Sequence, residues 1–345
     1  MLSYTFPHIL FGGQGMRVRY IRTLTALASL GCFTLMLVSG CGQPSSGATA
    51  NDQPEKTNLV VGAVESVSQA ALFIAQQRGI FAAHGLHVTI EGINSTATTI
   101  PDLLNGSMDI AAGQVTTFVA GQAKGEGQFR LLAAGLEIGP NTEQIVVPPN
   151  SPITSVAQLP GHTIAVNAAA GDGVLLTDDA LSVYNIAPNQ VSYKVVPFTK
   201  MGAALTAGTA DAAFCSEPYC TEMEQGIGAT ELTDLDQGAV QGWMISGYTT
   251  TAAWEKKYPN TAAAFAASIV QASNIANTNL EAIQSSLKAS VGLSPQVAGV
   301  MATGSYPTAI GQDRLEQLIA LMIQFGELSP NANTTAVVNA LSSGP

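Results

Sequence analysis

LLNGSMDIA (103–111) and LTAGTADAA (205–213) share one skeleton, Leu-x-x-Gly-x-x-Asp-x-Ala. In each copy the leucine reads as the buried end of a helix. The glycine supplies the left-handed stop, and the aspartate is expected to bond the backbone of the turn. The alanine then opens a short buried strand. The elements around each copy repeat as well. Before the first come a strand at 58–63, a helix at 69–78 closed by Gly79, a strand at 87–91, and a helix at 98–105 with Pro101 in its first turn. Around the second lie strands at 163–166 and 192–196, helices at 174–184 and 201–207, and a closing strand at 210–215. Strand, helix, strand, helix, strand is a parallel βαβ pattern, and meeting it twice predicts two similar α/β lobes. The expected fold class is α/β, two-lobed, each lobe a mostly parallel sheet flanked by helices.

The junctions are also legible. Residues 145–152, with Pro148, Pro149 and Pro152, read as an extended crossover out of the first lobe, and 241–248 as the crossover back. Helical patterns then follow at 250–257, 261–289, 294–302, 312–325 and 335–341. These assign lobe 1 to 58–148 and 245–345, lobe 2 to 149–244, and leave a two-strand hinge between them.

The first 40 residues have the order of an export signal. Arg17, Arg19 and Arg22 form a basic start, 23–38 is uncharged and mostly apolar, and Val38-Ser39-Gly40 closes the segment. The apolar run is shorter than the roughly 20 residues of a membrane span. The segment ending at Cys41 resembles the lipobox of bacterial lipoproteins, which implies that Cys41 carries lipid and becomes the first mature residue. Residues 41–57, rich in Ser, Gly, Gln, Asn and Pro, read as a flexible tether.

Net charge over the chain is 13 − 24 = −11. Loss of residues 1–40 removes three arginines and no acids, giving 10 − 24 = −14. No Lys/Arg cluster follows Cys41, which argues against nucleic acid as a partner. Three histidines follow the signal, His84, His87 and His162. They are too few and too scattered for a metal site, and no cofactor fingerprint appears.

Three stretches carry a family resemblance: 71–90 (ALFIAQQRGIFAAHGLHVTI), 151–166 (SPITSVAQLPGHTIAV) and 208–219 (GTADAAFCSEPY). In order and spacing, from about 58 to about 290, they resemble the sulfonate-, nitrate- and thiamine-precursor-type solute-binding proteins of ABC transporters. The resemblance implies the periplasmic-binding-protein type II fold and a monomer that closes on a small organic ligand by hinge bending. It also implies a membrane permease as partner, an extracytoplasmic location, and neither catalysis nor cofactor. The departure is Ser216, where the family commonly carries tryptophan before Glu-Pro-Tyr; Phe198, Tyr219 or Trp243 would have to replace that aromatic face. Two other classes remain, a binding protein serving a sensor and an enzyme on the same fold like the thiamine-pyrimidine synthases.

Ligands of open parallel sheets bind beyond the carboxyl ends of the strands. Those ends nominate Glu65, Ser66, Ser68, Asn94, Ser95, Thr96, Gln114, Thr116, Thr117, Asn167, Gly171, Asp172, Gly173, Thr199, Ser216 and Glu217. Thr116, Thr117 and Asp172 have helix capping as an alternative role, and Glu217 has a salt bridge or bonds to hinge amides. Three carboxylates in one pocket, Glu65, Asp172 and Glu217, would favour a nitrogenous or cationic ligand over a bare sulfonate or nitrate. FCSEPYC (214–220) reads as a pocket wall. Its cysteines, Cys215 and Cys220, are either a disulfide or two buried thiols, with a metal or catalytic role the remote alternative.

Overall fold

The computed structural model describes residues 53–342. The proposed signal peptide and lipid-bearing Cys41, with most of the tether, lie outside the described residues. Ten strands form two five-stranded sheets. The first sheet contains β1 (Asn58–Val64), β2 (His87–Ile93), β3 (Ile110–Gln114) and β4 (Phe129–Ala134). The second contains β5 (Glu143–Val147), β6 (Thr163–Val166), β7 (Ser192–Val195), β8 (Ala212–Ser216) and β9 (Thr230–Asp234). The last strand, β10 (Ser246–Thr251), returns to the first sheet.

The two sheets have the same plan. Their orders are β2-β1-β3-β10-β4 and β7-β6-β8-β5-β9. In each, three strands are parallel and a fourth runs antiparallel beside the third. That fourth strand is the one the chain delivers on arriving from the other sheet. Residues 145–147, expected in the crossover out of the first lobe, are therefore strand in the second sheet. The reason is that the apolar run QIVV is buried on both faces, between β8 and β9. The actual crossovers are 135–142 and 235–245, and they pair with each other. Ile138 N–H donates to the Trp243 carbonyl at 2.9 Å and Ile245 N–H to that of Leu136 at 3.0 Å.

The duplicated motif does the same work twice. Leu103 and Leu205 are buried, and Gly106 and Gly208 sit at φ +81° and +64°. The aspartates differ from expectation. Asp109 accepts from Val60 N–H at 2.9 Å and Asp211 from Thr163 N–H at 2.8 Å. Each carboxylate thus caps the neighbouring strand rather than its own turn, because the third strand enters beside the start of the first.

The C-terminal helices lie on the first sheet. Helix Pro259–Thr278 packs on helix Ala70–Gln77 and on β4, and helix Thr334–Ser342 also covers β4. The single helix expected at 261–289 is two. Asn279, at φ −145°, breaks it and accepts from Ala282 N–H to cap Leu280–Val291. Among the described residues no helix is long and apolar enough to cross a membrane.

Candidate functional site

The carboxyl ends of β1, β3, β6 and β8 and the start of β5 converge on one narrow cavity of about 30 Å³. Val64, Ser66, Ser68, Gln69, Gly113, Gln114, Ile245 and Ser246 line it from the first sheet and the returning crossover. Glu143, Asn167, Asp172, Phe198, Phe214 and Ser216 line it from the second. No Lys, Arg or His is among the lining residues.

Local sequence explains the shape. At Gly113 an added Cβ would stand 2.2 Å from Thr96 Oγ1. That hydroxyl accepts from Gln114 N–H at 3.0 Å, so β3 and the Thr96 turn touch only because residue 113 is glycine. Gly171, at φ +99°, lets the chain turn into helix Asp172–Val183 and places Asp172 in its first turn.

Several polar groups of the lining are buried, and some of their oxygens are unmet. Glu143 Oε1 accepts from Ser216 Oγ at 2.7 Å, while Glu143 Oε2 has no partner. Gln69 Oε1 and Asn167 Oδ1 also have none. Glu143 and Gln69 are each 1% exposed and Asn167 7%. An unmet buried polar group costs about 1–3 kcal/mol, so three around one cavity hold free energy that a ligand carrying donors would recover. Burial holds the Glu143 carboxyl well above the usual carboxylate range, against the lowering effect of the Ser216 bond. Burial likewise pushes Asp172 up to about 8, although Thr116 Oγ1 donates to its Oδ1 at 2.7 Å.

The expected site residues divide. Ser66, Ser68, Gln114, Asn167, Asp172 and Ser216 line the cavity. Glu65, Asn94 and Thr199 line an outer cleft with Phe198 and Tyr219. Thr116, Thr117 and Gly171 line a third depression with Glu327. Ser95, Thr96, Gly173 and Glu217 line none of these three. Glu217 is buried, and its Oε1 accepts from Thr221 Oγ1 at 2.8 Å and from Ala302 N–H at 3.2 Å. Burial raises its carboxyl to about 7, and those bonds oppose the shift. Its backbone carbonyl accepts from Val67 N–H, tying the end of β8 to the end of β1.

Two groups escaped the sequence reading. Glu143 is not among the nominated residues, and only its pairing opposite Ser216 brings it to the cavity. Gln69 was read as the start of a helix, but it sits in the 3-10 turn that precedes Ala70–Gln77. The unbroken apolar run Ile145–Val147, of the kind a strand buried on both faces carries, was the one available signal. As for the missing tryptophan, Phe198 and Phe214 line the cavity with ring centroids 6.0 Å apart, and Tyr219 stacks on Phe198 at 5.1 Å. Trp243 is fully buried in the crossover instead. Cys215 and Cys220 form a disulfide with Cα atoms 5.3 Å apart.

Comparison with known proteins places these features. Residues 52–290 match the NMT1-like family. Over 249 residues the chain is 26% identical to the bicarbonate transport ATP-binding protein CmpC of Synechocystis, a match covering 65% of this chain and 36% of that protein. The chain thus spans about a third of that relative's length. The alkanesulfonate-binding protein SsuA of Xanthomonas axonopodis, solved bound to MOPS, superposes with a TM-score of 0.71 at 17% identity, covering 82% of this chain and 98% of SsuA. The desulfurization enzyme DSZB superposes at 0.59 and 16% identity, covering 82% of this chain and 96% of the enzyme. At these identities the structural likenesses establish the two-lobed periplasmic-binding-protein fold.

Proposed function

The chain belongs to the NMT1-like family, and from that premise we propose that it is the extracytoplasmic solute-binding component of an ABC importer. It captures a small organic ligand between its lobes by hinge closure and presents it to a membrane permease. In this reading the chain works as a monomer, held at the membrane by lipid on Cys41 and spaced from it by residues 41–57. Lobe 1 carries the first sheet and the helical tail, and lobe 2 carries the second sheet.

The observation that carries the proposal is the cavity lined by strand ends of both sheets. A ligand there touches both lobes at once, so its binding free energy favours the closed arrangement. The paired crossovers 135–142 and 235–245 are the natural hinge. A cysteine-dependent enzyme on this fold would need a free thiolate. Cys215 and Cys220, the cysteines among the described residues, are bonded to each other, which supports binding over thiol chemistry.

A thermal-shift screen of the purified protein against alkanesulfonates, nitrate, pyrimidine thiamine precursors, flavins and aromatic acids tests the proposal. A ligand at 100 times its Kd adds about 2.7 kcal/mol of apparent stability. Recovery of a chemically altered ligand would end the binding reading. Incorporation of labelled palmitate that is lost in Cys41→Ala tests the anchor.

A further inference from the structure

Resting on the solute-binding reading of the same cavity, we infer that its ligand is a small organic cation. It presents N–H donors of an ammonium or amidinium group to Glu143, Asp172, Gln69 and Asn167.

Four observations converge. First, three buried side-chain oxygens of the lining residues, Gln69 Oε1, Glu143 Oε2 and Asn167 Oδ1, have no hydrogen-bond partner. They come from both sheets, so one multivalent donor satisfies both lobes in the closed form. Second, two carboxyls line the cavity and no basic residue does. A bound cation finds a counter-ion there once a carboxyl gives up its proton, whereas an anion finds none in either protonation state. Third, Phe198 and Phe214 form part of the wall. Aromatic faces attract a desolvated cation, and an N–H-bearing group more than a carboxylate or sulfonate. Fourth, the narrowness of the cavity favours a head group with few carbons, with any longer tail passing toward the outer cleft of Glu65, Asn94 and Thr199.

Binding then moves protons. Glu143 faces Ser216, Asp172 and Glu217, and Asp172 faces Thr116 and Glu327; Glu327 in turn faces Asp178 and Lys124. Acids outnumber the one lysine, and burial keeps Glu143 and Asp172 protonated in the empty site. A cation favours the carboxylate form, so a carboxyl releases its proton to solvent as the ligand enters. Affinity for the cation accordingly rises with pH, through the region near the Asp172 value of about 8. An uncompensated anion would show the opposite trend.

Isothermal titration decides the matter, with methylguanidinium, acetamidinium and ethylammonium against nitrate, bicarbonate and methanesulfonate. Each is run in two buffers of different ionisation heat. The expected result is that at least one of the three cations binds, with proton release. Its affinity is about tenfold tighter near pH 8 than near pH 6, and E143Q and D172N each weaken it about tenfold or more. Should either variant fail to fold, the wild-type panel and the buffer comparison carry the test. Binding of an anion alone overturns the cation assignment and leaves the solute-binding reading standing. A cation that binds without proton exchange and equally well to both variants also overturns it. Silence from all six probes overturns the cation assignment, while the wider screen above still judges the binding reading separately.

Discussion

At the scale of single residues, the cavity depends on atoms with almost no room to move. Gly113 is the tightest. An alanine there meets Thr96 Oγ1 at 2.2 Å and displaces the hydroxyl that holds Gln114 N–H. Gly113→Ala should cost about 1–3 kcal/mol and register as a lowered Tm. Asp172 makes the protein's stability depend on pH. Below its unfolded value of 3.8 both states hold the proton. As pH rises toward about 8, the unfolded chain releases that proton and the folded chain keeps it, so Asp172's contribution declines throughout the interval. Each unit of difference corresponds to about 1.4 kcal/mol. The ligand-free protein should therefore melt several degrees lower at high than at mildly acidic pH, and D172N should flatten that slope. Glu217 behaves differently. Its carboxylate is spent on Thr221 and Ala302, so Glu217→Ala should destabilise by about 1–3 kcal/mol while leaving ligand affinity within about twofold, as titration of the folded variant would show.

At the scale of elements, local signals and long-range partners divide the work. Gly79, Gly106 and Gly208 ended helices as their left-handed conformations require, and the strands of the two βαβ units lie within a few residues of their expected bounds. Helix Val115–Lys124, β4, β9 and helix Tyr219–Ile227 were not anticipated. Their sequences are short, mixed in polarity, or run directly on from a strand, as VTTFVAGQAK does after Gln114. Neither period dominates in such segments, and burial against a neighbour settles the outcome. The disulfide belongs to this scale. It clips the end of β8 to the first turn of helix Tyr219–Ile227 over a sequence separation of 5. Closing so short a loop restrains the unfolded chain modestly. C215A/C220A should lose on the order of 2 kcal/mol, and wild-type Tm should fall similarly on reduction, without loss of fold.

At the scale of the whole molecule, each sheet borrows a strand that arrives from the other. β5 and β10 insert antiparallel beside β8 and β3, and the crossovers leading to them run side by side. A change in angle between the lobes is therefore absorbed in 135–142 and 235–245, while both sheets stay intact. Solution scattering should show the radius of gyration fall when a ligand saturates the cavity. An unchanged curve at full occupancy would place the ligand outside the interlobe cleft. Gly304 adds a constraint, because an added Cβ would stand 2.1 Å from the Glu137 carbonyl of the first crossover. Gly304→Ala should lower Tm and alter the ligand-linked compaction together.

The duplicated Leu-x-x-Gly-x-x-Asp-x-Ala skeleton, the glycine stops and the apolar runs are local, and a chain carrying them has little choice but two α/β sheets. Six of the cavity's lining residues were also readable, since strand ends of parallel sheets face ligands wherever they occur. The sheet that β5 joins was decided only in three dimensions, as were the presence of Glu143 and Gln69 at the cavity and the removal of Glu217 from it. Register between segments far apart in the chain sets those outcomes. Pairing of Glu143 opposite Ser216 depends on burial of the QIVV run between two distant strands, which no local pattern encodes.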